Sequence, residues 1–442
     1  MNTSEGSGAR PSATSARAGA RPIRWWVLAL LAVAIAGNYY AYDSIAPIAG
    51  LLRSARGFSQ AQIGLLNAVF SLPNIALALI GGILIDRFGP SRVALWTAAA
   101  CFAGALLTAV GSPYGVMVCG RLLFGIGEET LLIALLAGLA QWFAGGGMAL
   151  AMALFFSLAR VGSYAADLSP RWAHAFYERG WQAPLWLAAA ITAASLVAAT
   201  GYAFIDRGAK VDAGSRGAGA ERVTWPDIGR FDPSFWYILA LNVLFASVFF
   251  PFRSTFAIEY FQDAKGLTLQ QAGLVNSWVF FAAIFATPLF GYLSDRIGRR
   301  ALLMTIGAAM MPLTFLVLGT TDWSLAISTA LMGLSFSVVP AVIWPATAML
   351  VEPRRLGTAY GLINMLQNLG LAVCNIAAGW LNDRALAGPK NPGGYADMLW
   401  FFGVLSFIAF LAVAILWRRE SGPRGHGLES IKIRPAAEMG VN

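Results

Sequence analysis

Asp43, Arg121, Glu128, Glu129, Arg160, Asp167 and Arg253 are ionisable side chains that fall inside apolar stretches long enough to cross a lipid bilayer. A charge near the bilayer centre costs a few kcal/mol or more, so such residues are the first candidates for function. Glu129 lies roughly 24 Å along a run of roughly 44 Å, and Arg160 roughly 21 Å along the next run of roughly 36 Å, at about 1.5 Å of helix per residue. Consecutive spans run in opposite directions, so both groups sit near mid-depth. One reading is a structural ion pair. The other is a site that grips a zwitterion. A dipeptide spans about 7 Å when extended, with an ammonium for a carboxylate to hold and a carboxylate for a guanidinium to hold bidentately.

Polar and aromatic residues in other runs suggest the rest of a cavity. Tyr39 and Asp43 are four apart and share a helix face. Trp344 precedes Pro345. Asn364, Gln367 and Asn368 lie in one run, and Asn276 with Ser277 in another. Amides there can bond a peptide group or a neighbouring helix equally well. One reading of Arg121 is a structural arginine held by backbone carbonyls or Asp43. Arg253 and Asp167 are expected as vestibule residues facing water.

These residues need a frame of membrane helices. A span takes about 20 mostly apolar residues. Twelve runs qualify, near 25–52, 61–86, 92–111, 114–142, 147–170, 184–206, 233–260, 270–295, 300–319, 323–350, 356–382 and 396–418. The expected fold class is an all-α membrane protein with twelve transmembrane helices in two pseudo-symmetric six-helix bundles. Residues 1–24 read as a disordered cytoplasmic tail, 25–206 as the first bundle and 207–232, polar and Gly-rich, as a cytoplasmic linker. The second bundle is expected over 233–418, with a cytoplasmic tail over 419–442. The first apolar run is too long for a cleaved signal peptide.

Composition agrees. The chain is 58% hydrophobic and 12% charged, where a soluble chain carries about 25% charged residues. The net charge of +9 is expected to hold loops on the cytoplasmic side, not to bind nucleic acid. With both termini in the cytoplasm, 21 of the 31 Lys and Arg residues fall on that side and 7 on the other, which fixes the orientation. Cys101, Cys119 and Cys374 lie in apolar runs and read as small hydrophobes, not disulfides. Neither His174 nor His426 belongs to a metal-ligand spacing. No nucleophile–base pair stands out, so neither an enzyme, a cofactor nor a metal is expected.

A charged signature occurs twice. It reads Gly82-Ile-Leu-Ile-Asp86-Arg87-Phe-Gly-Pro90-Ser-Arg92 and, 209 residues later, Gly291-Tyr-Leu-Ser-Asp295-Arg296-Ile-Gly-Arg299-Arg300. Each copy joins the second and third runs of its half. This pattern resembles the loop signature of the major facilitator superfamily. Arg121, in an Arg-x-x-x-Gly-x-Gly pattern, resembles another, in which the arginine belongs to a gating or proton-linked network. The resemblance implies two lobes that rock about a midplane site. Asp86, Arg87, Arg92, Asp295, Arg296 and Arg299 would then latch the cytoplasmic side, the aspartates at helix N-termini and the arginines across lobes.

Within that superfamily the chain resembles the lysosomal dipeptide transporters and their bacterial relatives. The similar segments include Tyr39–Asp43, Gly120–Thr130, Ala159–Ser163, Val342–Pro345, Leu356–Gly361 and Gln367–Ala372. The resemblance implies dipeptide carriage by uniport, with Glu129 receiving the peptide amine, Arg160 its carboxylate, and Trp344 as the tryptophan before proline. Tyr39, Asp43, Gln367, Asn368 and Asn276 complete the expected substrate set. Glu128 stands where that family has a small residue and is a candidate proton site. No acidic dileucine signal is evident, so a bacterial cytoplasmic membrane is expected, with the protein as a monomer in the lipid bilayer. The alternatives are a proton-coupled symporter of small organic anions, and drug or metabolite efflux.

Overall fold

The computed structural model describes residues 22–111, 113–144, 146–209, 231–321, 325–352, 355–423 and 425–430. Most of the tail 1–24, of the linker 207–232 and of the segment 431–442 therefore lies outside the described residues. The first half holds α1 (Ile23–Asp43), α2 (Ala49–Arg56), α3 (Gln60–Ser71), α4 (Asn74–Phe88), α5 (Pro90–Val110), α6 (Tyr114–Phe143), α7 (Met148–Trp172), the short α8 (His174–Glu178) and α9 (Gln182–Ala209). The second half holds α10 (Pro233–Pro251), α11 (Ala257–Lys265), α12 (Leu269–Ile297), α13 (Arg300–Thr320), α14 (Leu325–Leu350), α15 (Leu356–Arg384) and α16 (Ala396–Glu420).

Among the described residues ten spans are long and apolar enough to cross a bilayer, and the stretch from Gln60 to Phe88, bent between Leu77 and Ile80, makes an eleventh. Helix α7 has the same length class but carries Arg160, Asp167 and Arg171, and it completes six in the first half. Two spans are broken where a continuous helix was expected. The first changes at Ser44 to a 3-10 turn over Ala46–Ile48 that contains Pro47, and the seventh passes through a π-turn over Phe252–Phe256 after Pro251. Proline removes a helix donor and crowds the preceding turn, which accounts for both breaks.

The two halves match in register. Gly57 and Gly266, again 209 apart, both end a helix in the left-handed region, at φ 68° each. Two residues on, Ser59 and Thr268 each build a capping box, with Gln62 and Gln271. Such a cap is worth about 1 kcal/mol and fixes where the second and eighth spans begin. Gly64 and Gly273 then present bare backbone to the opposite half. A Cβ on Gly64 would strike the carbonyl of Asn375, and one on Gly273 the carbonyl of Asp167. Equivalent small residues thus let the lobes touch at two related points.

Each half has its own apolar core, centred on Leu31, Leu66, Phe124, Leu135 and Phe155 in the first and on Phe249, Phe252, Phe280, Phe336 and Phe402 in the second. The lobes meet where α12 packs on α7 and α15 packs on α3 and α4. Outward faces are apolar and bare, with Trp26, Val197, Phe204, Phe285 and Trp400 all more than half exposed. Lipid is the solvent that makes such a surface stable.

Residues 425–430 are not a loose tail. Leu428 is buried, its carbonyl accepts from Arg300 N at 2.8 Å, and Glu429 Oε1 accepts from Leu302 N at 2.9 Å. The carboxylate of Glu429 thereby supplies the first turn of α13 with an acceptor it lacks. His426 bonds Glu420 through both its backbone N, at 2.7 Å, and its ring Nδ1, at 2.9 Å. Arg419 pairs with Asp232 at 3.1 Å. These bonds tie the beginning of α10, the end of α16 and the start of α13 into one knot.

Candidate functional site

Arg253 and Asp167 are the most deeply buried charges among the described residues, and Arg253 is the centre of their cluster. It sits on the π-turn at zero exposure. Nη1 donates to Asp43 Oδ1 of the first half at 2.6 Å, and Nη2 to Asp167 Oδ2. Its guanidinium lies 3.9 Å from the centre of the Phe280 ring, and its carbonyl accepts from Asn276 Nδ2 at 3.2 Å. The expectation that Arg253 and Asp167 face a watery vestibule is therefore wrong. A buried guanidinium needs anions and acceptors on every side, and the other lobe supplies them.

The same junction extends toward the end away from the termini. Asn67 Nδ2 donates to Thr255 Oγ1 at 2.7 Å, and Thr255 in turn donates to Asn375 Oδ1 at 2.7 Å. Asp383 at the end of α15 accepts from the backbone N–H of Gln60 and Ala61, at 2.7 and 2.8 Å. It is an N-terminal cap supplied by the opposite lobe. Arg53 reaches Glu259 at 2.5 Å, and Gln60, Tyr395 and Asp263 form a further hydrogen-bonded chain. That end of the molecule is closed by polar bonds between lobes.

At the other end Asp295, Arg87 and Arg296 of the loop signatures have partners in their own lobe. Asp295 pairs with Arg300 at 3.0 Å, Arg87 lies over Phe88 and Arg296 over Tyr292. Arg299 caps α13 from the left-handed region, at φ 45°. The side chains of Arg87, Arg92, Asp295, Arg296 and Arg299 are exposed. The structure does not bring these arginines together across lobes.

Between the two ends lie the mid-depth charges. Arg160 is half-buried and faces three rings, Tyr39, Phe280 and Phe336, at 5.2, 5.4 and 4.9 Å. These come from α1, α12 and α14, so both lobes contribute. Cation–π contact on this scale fixes the guanidinium without neutralising it. Glu129 is half-buried and its Oε1 accepts from Asn364 Nδ2 of α15 at 3.2 Å. Among the described residues no salt bridge joins Arg160 to either glutamate. The alternative of a mutually neutralising ion pair between Glu129 and Arg160 does not hold. Glu128 is buried beside them, with Glu129, Arg160, Arg121 and Asp43 close enough to act on it electrostatically.

The remaining expected residues are divided between roles. Tyr39 stands at the centre, within electrostatic reach of Arg160, Glu128, Glu129 and Asp43. Trp344 is part-exposed and packs edge-on against Tyr360 at 5.5 Å. Gln367 accepts from Asn242 at 2.7 Å, and Asn368 donates to the carbonyl of Asn364 at 3.1 Å. Asp43 and Asn276 belong to the Arg253 cluster. Arg121 donates to the carbonyls of Leu66, Ala41 and Tyr42 and to Asn67 Oδ1. It stitches three helices of the first bundle together. A groove of about 710 Å³ lies elsewhere, on the outer face of the second bundle among Tyr260, Pro312, Trp400 and Phe407. Its lining is apolar apart from Lys265 and a few polar groups, and it is remote from the charged centre.

Sequence reasoning missed three partners. Asn364 was visible as an amide in a span, but not as the partner of Glu129. Asp383 and the Arg53–Glu259 pair lie at span ends, where charges are ordinary, so nothing in the sequence set them apart.

A family model described as Major Facilitator Superfamily matches residues 31–257 and 238–436. The chain is 31% identical over 394 residues to the lysosomal dipeptide transporter MFSD1 of Danio rerio, covering 86% of this chain and 84% of that protein. It is 24% identical over 367 residues to a protein named "Probable sulfoacetate transporter SauU" of Cupriavidus necator, covering 77% of this chain and 83% of that one. Among solved structures, the nucleoside transporter NupG superposes with a TM-score of 0.71 at 13% identity, over 88% of this chain and 99% of that one.

Proposed function

The chain belongs to the Major Facilitator Superfamily, and from that premise we propose that it moves small peptides, dipeptides foremost, by alternating access as a uniporter. The observation that carries the reading is the separation of Glu129 and Arg160. Two opposite charges lie within electrostatic reach of the same tyrosine, Tyr39, with no salt bridge between them among the described residues, one held by an amide and the other by aromatic rings. Each is free to exchange a weak partner for a strong one. A peptide ammonium would take Glu129 and a peptide carboxylate would take Arg160. Recognition by the two poles leaves the side chains of the peptide unread. The dipeptide transporter named among the relatives supports this choice of cargo.

The bonds between lobes at the end away from the termini support a state open toward the termini, which we assign to the cytoplasm of a bacterium. Rocking would break the Arg253, Asp383 and Arg53 contacts and bring the loop signatures together. The test is uptake of a labelled dipeptide into proteoliposomes of purified protein. Equilibration to equal concentrations on both sides, unaffected by a pH gradient, is the expected result. No flux of any dipeptide would reject the assignment.

A second reading is supported by Glu128. An extra buried acid beside Arg160 suits a proton-coupled carrier of small organic anions, and one relative is named for such a cargo. In that case an imposed proton gradient would drive an organic acid above equilibrium.

A further inference from the structure

Glu129 has one hydrogen-bond donor among the described residues, Asn364 Nδ2 of the opposite lobe at 3.2 Å. A bare carboxylate at this depth is costly, and a neutral amide N–H is the weaker kind of donor to it. The other side-chain atom of Asn364, Oδ1, makes no hydrogen bond among the described residues, and the helix is steadied there by Asn368 on the Asn364 carbonyl. An amide offers a donor on one side and an acceptor on the other, and half a turn about its last bond exchanges them.

We propose that Asn364 is the second lobe's contact to the substrate ammonium, holding the place of an ammonium N–H on Glu129 while the site is empty. This rests on the peptide reading above and adds to it. An arriving ammonium displaces the amide from Glu129, because a charge-assisted bond is the stronger. Asn364 then turns Oδ1 toward the same ammonium. The amine becomes a bridge with one acceptor from each lobe, so its binding favours the state in which the lobes are drawn together at Glu129. The site thus selects for a free amine in the presence of a second, uncharged acceptor.

The test crosses a protein change with a ligand change. L-alanyl-L-alanine and its N-acetyl derivative are titrated against the purified full-length protein, wild type and Asn364→Leu. Wild type is expected to prefer the free amine by roughly tenfold or more. Asn364→Leu is expected to shrink that preference by roughly tenfold, with binding of the acetylated compound unchanged within about twofold. Asn364→Gln, which keeps both amide atoms, should recover part of the preference. Asn364→Ala is scored in the same way if the leucine variant does not fold. A preference unchanged in the variants, or an equal loss for both compounds, overturns the role of Asn364 and leaves the peptide reading standing. Wild type binding neither compound overturns both.

Discussion

Arg253 on the seventh span bonds Asp43 on the first at 2.6 Å, with both side chains sealed from solvent. With Asp167 it forms a cluster of one cation and two anions drawn from both lobes. Removing one partner of such a cluster strands a charge in a medium that cannot solvate it. Arg253→Met should therefore lower stability by about 3–5 kcal/mol, read as a fall in the thermal unfolding midpoint in detergent. The pair Arg253→Met with Asp43→Asn should recover part of the loss, because it removes charge from both sides. A midpoint unchanged in Arg253→Met would show that the cluster carries no stability.

Arg160 is held over three rings, and its planar fork is suited to a carboxylate. Lysine keeps the charge but neither stacks nor forks in the same way. Dipeptide uptake is expected to fall at least about tenfold in Arg160→Lys and to collapse in Arg160→Ala and in Glu129→Gln. Uptake at the wild-type rate in Arg160→Lys would mean that charge alone suffices.

Asp383 caps the second span from the opposite lobe through Gln60 N and Ala61 N. On the alternating-access reading, these bonds would be lost when that end opens. Asp383→Ala should raise amide hydrogen exchange at residues 60–62 and shift the population toward the state open at that end, by about 1 kcal/mol or somewhat more. Exchange unchanged at these amides would remove Asp383 from the closure.

Asp232 lies outside the membrane, at the start of α10. Burial pushes its carboxyl up, but the backbone and hydroxyl of Ser234, then Arg419 and His426, outweigh that and hold it below the usual carboxylate range. A group with a depressed folded-state pKa contributes stability above its unfolded value, near pH 4, and loses it as pH falls toward the folded value. Unfolding midpoints measured from pH 7 down to pH 3 should therefore drop more steeply in wild type than in Asp232→Asn. Parallel curves would show that Asp232 contributes no pH-dependent stability in this range.

The halves were legible in the sequence because a repeat leaves a fixed offset. The Asp86 and Asp295 signatures announce it, and the capping boxes at Ser59 and Thr268 keep the same spacing. Glu129 and Arg160 were legible as charges inside apolar runs. Their partners were not, because a contact between α6 and α15 depends on how two lobes dock, and no local pattern records that. Arg253 was misjudged for the same reason: the anions that let it be buried lie 210 and 86 residues away. The packing of Leu428 was missed because a short polar, Gly-rich stretch resembles any tail until an apolar pocket receives it.

The ion cluster at Arg253 divides unevenly. The guanidinium belongs to the second lobe, and both aspartates belong to the first. A swing that parted the lobes there would pull a cation from two anions in a low-dielectric layer and leave stranded charge on both sides. The cost of that separation would favour the joined arrangement whenever nothing else takes up the stranded charges.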